Sequence, residues 1–402
     1  MGKCKKLFAF ILVFVILFSF AACGAKDSDR DDHIADRNES EDRDDKNDKV
    51  TEKADIAATV NGQDIDSINM SYYLIDYVQN EYSQLQSSYG SNLDQYLLLM
   101  GIDVNKPLNE QYYDSQTKTT WADYYLQKAL SKAQSDYALY SKAMDSSFRL
   151  STKEQDKLNA DLKNTFNTYA DLFGYKNTDN YMEALYGKGA SLKSYCKYAT
   201  ISTIASAYYA QYKNALSYDD SAIRAYEKSN ESKYAVYGTI PLANVRHLLI
   251  AFNGSTDADK TAARAEAERI LQMWEAGDRT ETAFIDLVAQ HTDDTASRAT
   301  GGLCEDIHPQ SNYVPNFLQW ATDPDRKQGD MEIVETEYGY HIMYFTHHST
   351  LSYRDFMICE DMRNEDVEKW YHSIIDNTTA KLVSTKNLNL DIVMAGTAGN
   401  GS

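Results

Sequence analysis

Apolar positions along this chain recur with two different periods. From Asn69 onward, Tyr72, Ile75, Tyr82 and Leu85 fall on one helical face, and the stripe stops near Gly90. Trp121, Tyr125, Ala129, Ala133, Tyr137, Tyr140 and Met144 trace a longer helix. Ser151-Thr-Lys-Glu154 is a capping box that opens a third, which runs to Phe173 and ends at Gly174. Another long helical stretch is expected from about Ser191 to Ser229. Ahead of these, Ala58 to Ile65 reads as a short hairpin around Asn61-Gly62, a type I′ turn dipeptide. No fixed-period repeat links the helices, and nothing in residues 56–240 carries recognisable chemistry.

Between Pro241 and Thr346 the period drops to two. In Val245 to Phe252, His247 shares a strand face with Val245 and Leu249. In Glu337 to Phe345, His341 lies with Met343 and Phe345, while Tyr340, Ile342 and Tyr344 take the other face. One inward histidine on an apolar face is ordinarily a packed core residue; two that frame one segment raise the prospect of a site. Between them come a turn and cap at Asn253 to Asp257, and a helix through Ala263, Ala267, Ile270, Leu271 and Trp274 that stops at Gly277. A short helix follows through Phe284, Leu287, Val288 and His291, then a tight turn at Gly301-Gly302, a helical turn or two at Val314 to Ala321, and a strand at Met331 to Glu335. The order strand, helix, helix, helix, strand, strand predicts an α+β module with antiparallel pairing, in which the two histidine strands are neighbours. Ser349 to Asp391 is again helical in pattern, with Phe356, Val367, Trp370, Ile374 and Leu382 as its apolar side, and Gly396 to Ser402 are expected to fray.

At 402 residues the chain exceeds one ordinary core and suits two or three domains. Its 60 acidic residues against 40 basic ones leave a net charge of −20, which argues against a nucleic-acid partner. The 31 tyrosines against 13 phenylalanines suit shallow cores and adaptable contact surfaces, or reflect a habit of composition. Met1 to Cys23 has the form of an export signal: Lys3, Lys5 and Lys6 precede the apolar run Leu7 to Phe20, which is short for a membrane span. Its Ala21-Ala22-Cys23 ending resembles the lipobox of bacterial lipoproteins. That resemblance implies that Cys23 becomes the lipidated first residue, anchored on the extracytoplasmic face of the cell membrane. Lys26 to Asp55 is nearly free of apolar residues and is expected to be a flexible tether. Cys196, Cys304 and Cys359 remain, an odd trio that predicts no disulfide framework.

Several short runs within the central module resemble, in order and spacing, the successive motifs of a parvulin-type peptidyl-prolyl isomerase. They are Val245 to Ile250, Phe284 to Asp294, Gly301 to Leu303, Val314 to Phe317, Gly329-Asp330 and Tyr338 to Ile342. With the lipobox and the helical flanks, the whole chain is similar to the PrsA-type foldase lipoproteins of Gram-positive bacteria. Carried over by position, the resemblance places the family's paired histidines at His247 and His341, its acidic position at Asp294, and its threonine at Thr336. It assigns the proline shelf to Phe317, with Tyr313 and Leu303 beside it and Tyr338 at a position that is often serine. On local grounds alone Asp294 reads as a turn residue, His291 as packing, and His347 and His348 as solvated. No cofactor is implied, and the spacing for a zinc site is missing.

The resemblance implies a membrane-tethered enzyme that isomerises X-Pro bonds in unfolded or partly folded exported proteins. Its alternative is a non-catalytic holdase that uses the module only to bind clients. A solute-binding lipoprotein would need a two-lobed α/β pattern that is not present. The expected organisation is a signal peptide at 1–22, a tether at 23–55, a helical chaperone-like domain at 56–240, and a parvulin domain at 241–348. The last has a small antiparallel sheet with about four helices, inserted in or following the helical domain, and a helical segment at 349–402 packs back on that domain.

Overall fold

The structure, a computed structural model, describes residues 55–394. The export signal, Cys23, the tether through residue 54 and the tail from residue 395 lie outside the described residues. The chain divides into two compact units, one formed by residues up to Ala215 together with those from Val367 on, the other by Leu216–Asp366.

The first unit opens with β1 (Ile56–Val60) and β2 (Gln63–Asp66), joined as expected by a turn in which Asn61 and Gly62 both have positive φ, 48° and 78°. Asp66 then caps α1 (Ser67–Tyr89), accepting from the Asn69 amide at 2.7 Å. A short helix α2 (Leu93–Leu99) and a small ribbon, β3 (Tyr112–Asp114) with β4 (Thr119–Thr120), follow. Capping boxes at Thr120/Asp123 and Ser151/Glu154 start α3 (Trp121–Asp145) and α4 (Thr152–Leu172). Then come α5 (Thr178–Tyr186) and α6 (Leu192–Ala215). The single helix expected over Ser191 to Ser229 is in fact interrupted. Asp219, already in the second unit, turns its side chain onto the Ala222 amide at 2.8 Å and starts a new helix, α7 (Asp220–Ser229), followed by α8 (Glu231–Tyr234).

The second unit is built on β5 (Pro241–Ala251), α9 (Asp257–Ala276), α10 (Glu281–His291), β6 (Leu303–Ile307), α11 (Pro315–Ala321), β7 (Met331–Glu335) and β8 (Gly339–Ser352). Its four strands pair antiparallel in the order β6-β5-β8-β7, so the fold is α+β and the two histidine strands are neighbours. Opposite residues across β5 and β8 include His247 with Met343 and Leu249 with His341, which puts both imidazoles on one face. On that face Val245, Met343 and Phe345 pack with Phe317 and Trp320 of α11. The other face presents Leu248, Ile250, Tyr340, Ile342 and Tyr344 to α9 and α10. Alternation alone explains this division, since each strand serves both layers. β6 was not expected, because Cys-Glu-Asp in its middle hides the alternation. β8 also runs seven residues past Phe345. His347 and His348 therefore lie in a strand, and the His348 ring is not solvated but packs edge-on against Phe345 at 4.8 Å with both nitrogens buried.

Helix α12 (Tyr353–Ile375) leads back to the first unit, where β9 (Ala380–Leu382) pairs with β1. Leu382, expected on a helix, is thus a strand residue opposite Ala58. The core of the first unit accounts for many of the tyrosines. Tyr72, Tyr186, Tyr195 and Tyr198 pack edge-on or tilted around the buried Asp76, with centroids 4.9–5.5 Å from Tyr72. Tyr186 and Tyr195 donate to its two carboxylate oxygens at 2.8 and 2.7 Å. These tyrosines form neither an adaptable surface nor a mere habit of composition; they supply the donors that let a carboxylate sit in an apolar core.

Burial raises the Asp76 carboxyl from 3.8 to about 6, against the opposing hydrogen bonds of the tyrosines. A carboxyl that binds its proton more tightly when folded favours the folded state below pH 3.8, and that advantage is lost as pH rises through about 6. The contribution is on the order of 2–3 kcal/mol. Urea unfolding of Asp76→Asn should therefore show a smaller stability difference between pH 4 and pH 7 than the parent; an equal difference would refute this account. In the second unit, a Cβ at Gly302, where φ is +72°, would lie 2.1 Å from the His247 carbonyl oxygen. Gly302→Ala should cost roughly 2–3 kcal/mol in the same measurement, whereas Gly329→Ala, with open space around it, should cost about 1 kcal/mol.

Candidate active site

The site grows from the β5–β8 pairing. His247 Nδ1 lies 3.1 Å from His341 Nδ1, and the two rings are tilted by 30° with centroids 5.3 Å apart. Phe317, delivered by α11 behind Pro315, stands nearly perpendicular to both, 5.5 Å from each centroid. Tyr313 stacks on Phe317 at 4.8 Å and 12°, and is 38% exposed, so one side of this aromatic slot is open.

Both ends of the histidine pair are tied. His341 Nε2 is 3.0 Å from the Thr336 hydroxyl, which also accepts from the Tyr338 amide at 3.2 Å. His247 Nε2 is 3.1 Å from Asp294 Oδ2 and 3.2 Å from the Ser297 hydroxyl, which itself donates to Asp294 Oδ2 at 2.5 Å. Asp294 is held by its own turn, since its Oδ1 accepts from the Ala296 amide at 3.0 Å. The turn reading and the site reading of Asp294 therefore hold together, one for each oxygen. Its neighbour Asp293 is structural: its amide donates to the Leu249 carbonyl at 2.9 Å, and its carboxylate accepts from the Ala251 amide at 2.9 Å. Together these bonds lay the loop along β5 where it runs past its pairing with β6.

Burial pushes His247 down, and the charge of Asp294 makes up only part of the difference. His341 falls to about 4, through burial and then its histidine neighbour. Burial pushes the Asp294 carboxyl up, but the hydrogen bonds from Ser297 and the Ala296 amide outweigh it and leave the group below its usual value. At neutral pH the site thus holds two neutral imidazoles and one carboxylate. One arrangement of protons satisfies all of them. The Thr336 hydroxyl also lies 3.2 Å from the Gly339 carbonyl, but that carbonyl already accepts from the Thr336 amide at 2.9 Å, so the hydroxyl's one hydrogen goes to His341 Nε2. His341 Nδ1–H then donates to His247 Nδ1, and His247 Nε2–H to Asp294. Every donor then points toward the negative charge. The reverse order would leave the bare Nε2 of His247 facing a carboxylate.

Among the residues singled out in the sequence, His247, His341, Asp294, Thr336, Phe317 and Tyr313 come together. Leu303 does not. It sits opposite Arg246 on β6, on the sheet face away from the histidines, because pairing directly opposite puts both side chains on one side. The place beside the slot belongs to Cys304, opposite Val245 and packed near Phe317. Burial raises its thiol to about 11, against a hydrogen bond with Tyr313. Tyr338 lies at the turn between β7 and β8 and is 60% exposed. Ser297 and Cys304 escaped the sequence reading. The spacing of Ser297, three residues after Asp294, was the available signal, and alternation from Gly302 would have favoured Cys304 over Leu303. Among the described residues no group of three or more His, Cys, Asp or Glu side chains is placed to hold a metal ion. Cys196, Cys304 and Cys359 are free thiols.

A family model described as the PPIC-type PPIase domain, or rotamase, matches residues 247–347. The similar solved structures include PrsA from Bacillus subtilis, 20% identical, with 64% of this chain and 88% of that one covered and a TM-score of 0.37. Foldase protein PrsA from Streptococcus pneumoniae is 14% identical, with coverage of 63% and 83% and a TM-score of 0.25. A structure described among the SurA-like chaperones of Campylobacter jejuni is 11% identical, with coverage of 82% and 99% and a TM-score of 0.27. No curated protein matches the chain. The matched segment spans nearly all of both histidine strands and everything between them, so residues 247–347 are similar to the PPIC-type rotamase domain.

Proposed function

We propose that this chain is a PrsA-like foldase, anchored to the extracytoplasmic face of the cell membrane through Cys23, that catalyses cis-trans isomerisation of X-Pro bonds in unfolded or partly folded exported proteins. The observation that carries the reading is the neutral histidine pair, 3.1 Å apart, standing over Phe317 inside a rotamase-type segment. In this reading residues 1–22 are the signal, 23–55 the tether, 56–240 and 349–402 a helical chaperone-like body that shelters clients, and 241–348 the isomerase domain.

The reaction asks for no bond to be made or broken. Rotation about X-Pro is slow because the amide has partial double-bond character, with a barrier of roughly 18–20 kcal/mol. Twisting removes that character: the carbonyl oxygen loses negative charge and the nitrogen regains its lone pair. A site accelerates the step by holding the twisted form better than either planar one. Here Phe317, Tyr313 and Cys304 offer an apolar seat for the pyrrolidine ring. The negative field of Asp294, carried along the imidazole pair, favours a carbonyl that is giving up negative charge. A nucleophilic role for Asp294 or Cys304 is unnecessary, and the raised thiol of Cys304 argues against one there.

A proline-limited refolding or peptide assay on the parent and on His341→Ala and Asp294→Asn tests the reading. Each substitution should lower kcat/KM roughly 10- to 100-fold, the equivalent of one buried hydrogen-bonding partner. The parent rate should stay level through neutral pH and fall in acid as the imidazoles take up protons, His341 at about 4. A folded parent that does not accelerate isomerisation would replace the enzyme with a holdase. Anchoring is tested separately: Cys23→Ala should release the protein from cell membranes into the soluble fraction, and retention would exclude the lipid anchor.

A further inference from the structure

We propose that Ser297 is a positioning residue for this site: by pinning the Asp294 carboxylate against His247, it fixes which nitrogen of each imidazole carries the proton. The inference rests on the isomerase reading above and adds a residue that the motifs do not mark.

The backbone of Ser297 is itself anchored. Its carbonyl accepts from the Gly302 amide at 2.9 Å, from the Thr300 amide at 3.1 Å and from the Thr300 hydroxyl at 2.9 Å. Gly302 in turn receives the His247 amide on its own carbonyl at 2.9 Å. The hydroxyl is therefore held in register with the strand that carries His247. It reaches both partners, at 2.5 Å from Asp294 Oδ2 and 3.2 Å from His247 Nε2. Since it has one hydrogen and the carboxylate has none, that hydrogen goes to the carboxylate, and His247 Nε2–H is left to complete the triangle.

Other charged groups around this triangle do not compete with that arrangement. Asp294 is faced by His247 from β5, by His341 of β8 beyond it, by the Ala296 amide within its own turn and by the Cys304 thiol from β6. Next to it Asp293 is occupied by the Ala251 amide, and the Arg298 guanidinium is turned onto the Thr292 carbonyl. From α11 the histidine pair meets the uncharged Phe317 ring. Among the described residues, Ser297 is thus the side-chain hydroxyl that holds the carboxylate.

If Ser297 is removed, the carboxylate loses a charge-assisted donor and is free to turn within the loop. The bias that orders the protons along Thr336, His341 and His247 then weakens, and Asp294 takes up its proton at higher pH. No proton is transferred in turnover, so the loss would be one of alignment.

The test uses the full chain labelled with 15N-histidine, together with Ser297→Ala and Ser297→Thr. In the parent, the His247 and His341 signals should report Nε2–H on the first and Nδ1–H on the second. In Ser297→Ala they should become a mixture of tautomers. The acid limb of kcat/KM should move up by about one pH unit, the size of one hydrogen bond to a charged group. Ser297→Thr should restore both. An unchanged tautomer pattern and acid limb in Ser297→Ala would overturn the inference, as would Ser297→Thr behaving like Ser297→Ala, or a parent with the reversed tautomers. The nitrogen signals need no turnover. An ordered pattern in a protein that catalyses nothing would tell against the isomerase reading alone, while turnover with an unordered pattern would tell against Ser297 alone.

Discussion

The antiparallel pairing of β5 with β8 is the constraint on which the rest of the second unit depends. Its register sets His247 opposite Met343 and His341 opposite Leu249, and a slip of one residue would send one histidine to the other face. Both sides of the sheet are buried, one under α11 and the other under α9 and α10, so either slip would also drive polar rings into apolar layers. The same apolar alternation that stabilises the sheet therefore positions the imidazoles, and no separate device is needed to aim them.

Much of this is legible in the sequence. Period-two alternation exposed both histidine strands, because a buried antiparallel strand shows a different face at each residue. The hairpin at Asn61-Gly62, the capping box at Ser151 and the cap within Asn253 to Asp257 follow from local hydrogen bonding that needs no tertiary context. What was hidden depended on distant partners. β6 carries Glu305 and Asp306 in its middle and becomes a strand only beside β5. Leu382 looked helical by spacing, yet the edge of β1 takes it as a strand residue. Asp219 breaks what composition alone would continue as a helix.

The site divides in the same way. His247, His341, Asp294, Thr336, Phe317 and Tyr313 converge as the motifs implied, because the motifs mark positions on elements that the sheet brings together. Leu303 was misplaced by one residue, which in a strand is the whole difference between the slot and the opposite face. Ser297 is hidden in the sequence for another reason. A serine in a polar loop has no periodicity to betray it, and its place is fixed by carbonyl contacts that only the folded turn creates.

The contact between Gly302 and His247 is backbone on backbone, and it has a consequence for how such a chain can change over generations. A clash between side chains can be relieved by a neighbour that shrinks or turns, so those positions drift in pairs. A carbonyl oxygen 2.1 Å from where a Cβ would stand has no such partner to adjust. Variation at this turn is then filtered at the level of the fold itself, and a copy that lost both histidines but kept the sheet would still be obliged to keep this glycine.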